Sequence, residues 1–169
     1  QRNYSKRRFM IEVLDDLRPQ GQVQAVIEYR DNRPSQIIEF PNSVLKNGRR
    51  ALVKCLTNQI DGDFNFYITR MLFGDGGTFD GTKKYVNVDR NGLFGVTRLS
   101  KPVLANINST IPTQGIFTAV INFDEGVGVV FNEMALQMSN GDLYSMTTFS
   151  DLTKTEEMRI VFNWRLNFI

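Results

Sequence analysis

Three carboxylates, Asp124, Glu125 and Glu133, are the residues best placed along this chain for acid–base work. Cleaving a glycosidic bond with carboxylates alone needs two of them converging on it. Asp124 and Glu125 are adjacent, and neighbours on a strand point to opposite faces, so they cannot be that pair. The chain has no histidine, and Cys55 is its one cysteine. That removes the usual general base, the usual metal ligand and every Ser-His or Cys-His nucleophile. It also removes any disulfide within the chain and any Cys-rich zinc site, usage that fits assembly in a reducing cytoplasm. The expectation is a protein without enzymatic activity, metal or cofactor.

Gly74-Asp75-Gly76-Gly77 follows an apolar run, and a glycine-rich loop after a strand can hold a phosphate on its backbone amides. The loop lacks the lysine and spacing of a P-loop, so it is read as a structural turn whose glycines supply positive φ. Asp75, Asp80 and Asp89 do not follow the alternating ligand spacing of a calcium loop. Glu133 shares a period-two face with Val129, Phe131 and Ala135. A carboxylate in an apolar row needs a cationic or hydrogen-bonding partner, and Arg70, Arg98 and Arg159 are the candidates. Glu133 is therefore read as a structural lock.

Two further clusters have double readings. Arg2, Lys6, Arg7 and Arg8, with Tyr4 and Phe9, could grip nucleic acid through phosphate contacts and base stacking. The patch is short and the net charge only +2. A protein-docking arm of Arg2, Lys6, Arg7, Arg8 and Phe9 is the preferred reading, with neither nucleic acid nor membrane as a partner. Phe162, Trp164 and Phe168 could form a carbohydrate platform, but aromatics at strand period read first as sandwich core.

The elements that must position these residues follow from periodicity. Residues 1–20 form a basic arm. Residues 21–40 form a hairpin around the turn formers Asp31-Asn32-Arg33-Pro34-Ser35. Residues 43–58 form a helix capped by Asn42 or Ser43, with Leu45, Leu52, Cys55 and Leu56 on its inner face. From residue 63 the period becomes two, as in Phe64, Phe66, Ile68 and in Phe117, Ala119, Ile121, Phe123. Asn140-Gly141 favours a type I′ hairpin. In the last segment Met158, Ile160, Phe162, Trp164, Leu166 and Phe168 alternate with more polar neighbours. Together these predict a mainly β fold: an antiparallel β-sandwich with one packed α-helix and an N-terminal arm and hairpin, residues 21–169 being a single domain.

No apolar run is long enough to cross a bilayer as a helix, and Glu12, Asp15 and Asp16 cut the segment after Arg7-Arg8 too short for an export signal. Charge is uneven: residues 1–60 carry 11 Lys and Arg against 6 Asp and Glu, and residues 61–169 carry 9 against 12. Ends of opposite sign suit docking to further copies or to an acidic neighbour.

The order of short motifs adds a resemblance. A helix leads into Ile68-Thr69-Arg70-Met71-Leu72-Phe73-Gly74-Asp75-Gly76; then come Asn132-Glu133-Met134-Ala135-Leu136, a glycine turn, Asn140-Gly141-Asp142-Leu143-Tyr144-Ser145-Met146, and Leu152-Thr153-Lys154 before a final alternating strand. From Ala51 to Ile169 this series resembles the attachment domain at the N-terminus of phage tail fibres, and the related small virion proteins of large contractile-tailed phages. The resemblance implies a virion protein assembled in the host cytoplasm, a tail or baseplate adaptor whose partners are copies of itself, as a homo-oligomer, and other virion structural proteins. A neck, collar or capsid-surface position is the alternative, and a carbohydrate-binding module a more distant one. A fibre would continue into a repetitive shaft where this sequence stops at Ile169, and residues 1–40 lie outside the family core; both are expected of an adaptor.

Overall fold

The computed structural model describes residues 20–59 and 66–168. The docking arm expected from Arg2, Lys6, Arg7, Arg8 and Phe9 lies outside the described residues, as does Phe64. Within them, alternation is the organising signal. In β1 (Gln20–Tyr29) Val23, Ala25 and Ile27 are buried while Gln22, Gln24 and Glu28 face outward. In β12 (Met158–Asn167) Ile160, Phe162, Trp164 and Leu166 are buried in the same rhythm.

Two five-stranded antiparallel sheets result. The first runs β2 (Gln36–Pro41), β1, β12, β9 (Gln114–Ile121), β8 (Leu104–Ile107). The second runs β3 (Ser43–Val44), β11 (Leu143–Thr153), β10 (Val130–Met138), β4 (Ile68–Gly74), β7 (Thr97–Pro102). A small hairpin, β5 (Thr78–Phe79) with β6 (Thr82–Lys83), forms a two-stranded sheet of its own against β11. The chain changes sheet over single residues at both rims, at Asn42 between β2 and β3 and at Val103 between β7 and β8.

The two sheets face each other across one apolar core. Phe73 of β4 meets Phe162 of β12 with ring centroids 4.8 Å apart, and Phe40 of β2 stacks on Phe149 of β11 at 4.8 Å. Trp164 is fully buried in this core, so the aromatic stripe of the last strand is packing and cannot present the indole to a sugar. A second apolar cluster, Leu45, Leu72, Val86, Ala135, Leu143 and Met146, lies on the other face of the second sheet. Leu45, just ahead of the helix, and the loops between β4 and β7, through Val86, Leu93 and Phe94, cover this side, while the helix α1 (Lys46–Leu56) packs on the first cluster through Ala51 and Leu52.

Four local expectations are corrected. The helix begins at Lys46 behind Leu45, which makes no side-chain cap, because Ser43 and Val44 are recruited as β3 against Ser145 and Met146. Its inner face is Gly48, Ala51 and half-buried Leu52, while Cys55 and Leu56 are exposed. Gly48 is required there, since a Cβ would sit 2.4 Å from the Tyr144 carbonyl oxygen. Phe66 lies before β4 and outside any strand, and Phe123 lies beyond the end of β9. At the Asn140-Gly141 turn only Gly141 has positive φ, at 90°. The Gly141 amide donates to the Met138 carbonyl at 3.0 Å and the Asp142 amide to Asn140 Oδ1 at 3.0 Å, so a type I turn followed by a left-handed glycine replaces the expected type I′.

Tyr144 gives a testable consequence of this packing. Its hydroxyl is buried with no hydrogen-bond partner among the described residues, and burial pushes its pKa up to about 12. Above pH 10 the unfolded chain releases the phenolic proton while the folded chain keeps it, so stability falls as pH rises from about 10 to 12, by up to roughly 2–3 kcal/mol. Tyr144→Phe is expected to be more stable at neutral pH by about 1 kcal/mol, because it removes an unpaired buried hydroxyl. The gap should widen in urea unfolding at pH 11; a constant gap contradicts the assignment.

Candidate functional site

A break of alternation in β10 builds the most polar part of the interior. In β10 Phe131, Met134, Leu136 and Met138 belong to the core between the sheets. Between Phe131 and Glu133 the pairing with β11 is irregular, and Asn132 and Glu133 both reach the loops on the outer face of the second sheet. Glu133 therefore does not share a face with Phe131, as a strict period of two would require; it lies on the side of Ala135.

Glu133 is fully buried, and its carboxylate is bound by three backbone amides. Oε1 accepts from Gly76 at 2.9 Å and Gly95 at 2.8 Å, and Oε2 accepts from Phe94 at 2.6 Å. Beside it Asn132 Oδ1 accepts from the Gly77 amide at 2.7 Å, while its Nδ2 donates to Thr78 Oγ1 at 2.9 Å and Asp151 Oδ1 at 3.0 Å. Thr78 Oγ1 donates to the same Asp151 oxygen at 2.8 Å. These bonds from Asn132 and then Thr78 hold the Asp151 carboxyl below the usual carboxylate range.

The partners expected for Glu133 are engaged elsewhere. Arg70 donates to Ser100, Arg98 pairs with Asp75, and Arg159 pairs with Glu28 at 2.9 Å. The reason is geometric: two loops already aim amides at the carboxylate, so no cation is needed to satisfy it. The glycine-rich loop is thus an anion cradle, and its anion is the protein's own side chain.

Close approach, not positive φ, explains the glycines. Gly74, Gly76 and Gly77 all have ordinary negative-side backbones, since positive φ among glycines falls at Gly81, Gly126, Gly128 and Gly141. A Cβ at Gly74 would lie 2.6 Å from Glu133 Oε1; at Gly76, 2.2 Å from the Gly95 nitrogen; at Gly77, 2.2 Å from the Asn132 carbonyl oxygen. Asp75 serves the same turn from outside through its pairing with Arg98.

The other carboxylates singled out in the sequence are dispersed. Asp124 is exposed, and Glu125 is held by Lys101 and by the Asn122 amide at 2.8 Å, which together keep its carboxyl below the usual range. Asp89 pairs with Lys46 at 3.2 Å and Asp80 occupies a turn with φ 48°. Among the described residues no group of three or more metal-ligating side chains comes together.

One charged group was missed as a site residue. Lys154, at the end of β11, is fully buried, and its Nζ donates to the Phe123 carbonyl at 2.9 Å and the Thr155 carbonyl at 2.8 Å. Burial lowers its pKa, partly offset by Asp124 and Glu125. Asn132 and Gly95 were missed as well; a polar pair at 132 and 133 interrupting an apolar strand was the available signal. In comparison with known proteins, no family model, no curated protein and no solved structure matches the chain. Fold and site together define an antiparallel β-sandwich whose buried polar groups bind its own loops.

Proposed function

We propose that the chain is a structural component of a tailed-phage particle, acting as a tail or baseplate adaptor that joins fibres or neighbouring virion proteins. The observation that carries this reading is the convergence of the motifs on which the family resemblance rests. Gly74-Asp75-Gly76 and Asn132-Glu133, more than fifty residues apart in sequence, meet through the Gly76 and Gly77 amides. Lys154, from the last of these motifs, is a second buried anchor. Motif residues used in this way maintain a scaffold, as a virion part requires, rather than facing a cleft.

A carbohydrate-binding role gains nothing from Trp164, whose side chain is enclosed. A neck, collar or capsid-surface position rests on the same scaffold argument and differs only in location. Mass spectrometry of density-purified particles, from a host infected by the phage that encodes this chain, tests the reading. The chain is expected in fixed stoichiometry with the major tail proteins. Its presence in infected cells together with its absence from purified particles would overturn the proposal.

A further inference from the structure

Among the described residues, four strands lie at the edges of the two five-stranded sheets, and three of them are blunted against pairing. β3 is two residues long, β2 carries Glu39 and ends on Pro41, and β7 carries Arg98, Lys101 and Pro102. Prolines and charges are the usual means of protecting an edge, and like charges opposed across a ladder are destabilising. β8, Leu104-Ala105-Asn106-Ile107, has neither. All four of its residues are exposed, with Leu104 66% and Ile107 75% accessible, and Ile111 just beyond is also exposed.

The hydrogen-bonding direction of each residue is fixed by its neighbours. β8 pairs with β9 in the register Leu104 with Thr118 and Asn106 with Ile116, and the Asn108 amide continues that register by donating to the Gln114 carbonyl at 2.9 Å. Val103, of the opposite parity, turns away from β9 and donates to the Thr69 carbonyl at 3.1 Å. The amides and carbonyls of Ala105 and Ile107 therefore point to an edge that no described strand covers.

We propose that β8 pairs antiparallel with β8 of a second copy across a twofold axis at Asn106, joining two five-stranded sheets into one of ten strands. The spacing makes the segment its own complement. Ala105 faces Ile107 of the second copy and Ile107 faces its Ala105, so both open residues of each chain exchange both backbone bonds. The only identical residues brought face to face are the two Asn106 amides, which are neutral and can bond each other. β7 and β2 would set Lys101, Arg98 or Glu39 near their own copies, which is why self-pairing is assigned to β8. The inference does not depend on a phage origin.

The register supplies the test. In a non-hydrogen-bonded antiparallel pair the Cα atoms are about 4.5 Å apart, within the roughly 4.4–6.8 Å spanned by disulfides. In a Cys55→Ser background, Asn106→Cys is expected to give a covalent dimer on mild oxidation, whereas Leu104→Cys, which faces Asn108 of the second copy, stays largely uncrosslinked. The unsubstituted chain is expected to show by light scattering twice the 19.4 kDa of one chain. Ala105→Pro removes an amide that the sandwich itself does not use, so it should halve that mass while urea unfolding remains a single cooperative transition. A monomeric unsubstituted chain, equal crosslinking of the two cysteine variants, or a dimer that survives Ala105→Pro would each overturn the proposal.

Discussion

Glu133→Gln is expected to lower the unfolding free energy by about 2–4 kcal/mol, a large share of the roughly 5–15 kcal/mol that holds a domain of this kind together. The carboxylate accepts three backbone bonds on two oxygens. A glutamine can keep its carbonyl oxygen toward Gly76 and Gly95, but its amino group then confronts the Phe94 amide, donor against donor. Two charge-assisted bonds become neutral ones, and one buried amide loses its acceptor. Glu133→Ala should cost more, because all three amides are orphaned. Urea unfolding followed by tryptophan fluorescence measures this, with Trp164 as the built-in reporter. A loss below about 1 kcal/mol for Glu133→Gln would mean that the loops are held by something else.

The second large effect is expected at Gly77. A methyl group there would lie 2.2 Å from the Asn132 carbonyl oxygen and 2.8 Å from Glu133 Cβ, both parts of a central strand that cannot yield. The loop must lift, breaking the 2.7 Å bond from the Gly77 amide to Asn132 and loosening the adjoining bond from Gly76 to Glu133. Gly77→Ala should cost about 2–4 kcal/mol. Gly92→Ala is the matched control: nothing lies within 4 Å of the added methyl, so its effect should stay within about 0.5 kcal/mol. Because Gly77 and Glu133 act on one assembly, the double variant should lose less than the two single losses added together.

Much of the sandwich is legible in the sequence because burial on one face of a sheet imposes a period of two, and β12 keeps it through Ile160, Phe162, Trp164 and Leu166. The hairpin of β1 and β2 is legible for the same reason, with Asn32 at φ 57° in its connecting turn. The helix start is not legible in the sequence because Asn42 and Ser43 are good caps by type, and only the pairing of Ser43 and Val44 with β11 decides that Ser43 and Val44 are strand. Spacing alone predicts Cys55 and Leu56 inward, yet α1 meets the sheet chiefly through its first two turns, at Gly48 and Ala51.

At the polar centre, Glu133 and the glycines could be named but not joined correctly. A buried carboxylate asks for donors, and sequence displays arginines far more visibly than backbone amides. Phe94 and Gly95 donate from a loop with no periodicity, and their direction depends on a turn that no side-chain pattern encodes. The parity change at Asn132 is similarly hidden, since an irregular pairing shifts faces without altering composition.

Amide hydrogen exchange at Gly76, Phe94 and Gly95, read residue by residue by NMR, tests most directly the claim that Glu133 locks two loops onto the second sheet. The account predicts that these three amides exchange as slowly as the core amides of β10 in the unsubstituted chain, and at least tenfold faster in Glu133→Gln under conditions where the β10 amides remain protected. Exchange as fast as that of exposed loop amides in the unsubstituted chain, or unchanged rates in the variant, would contradict it.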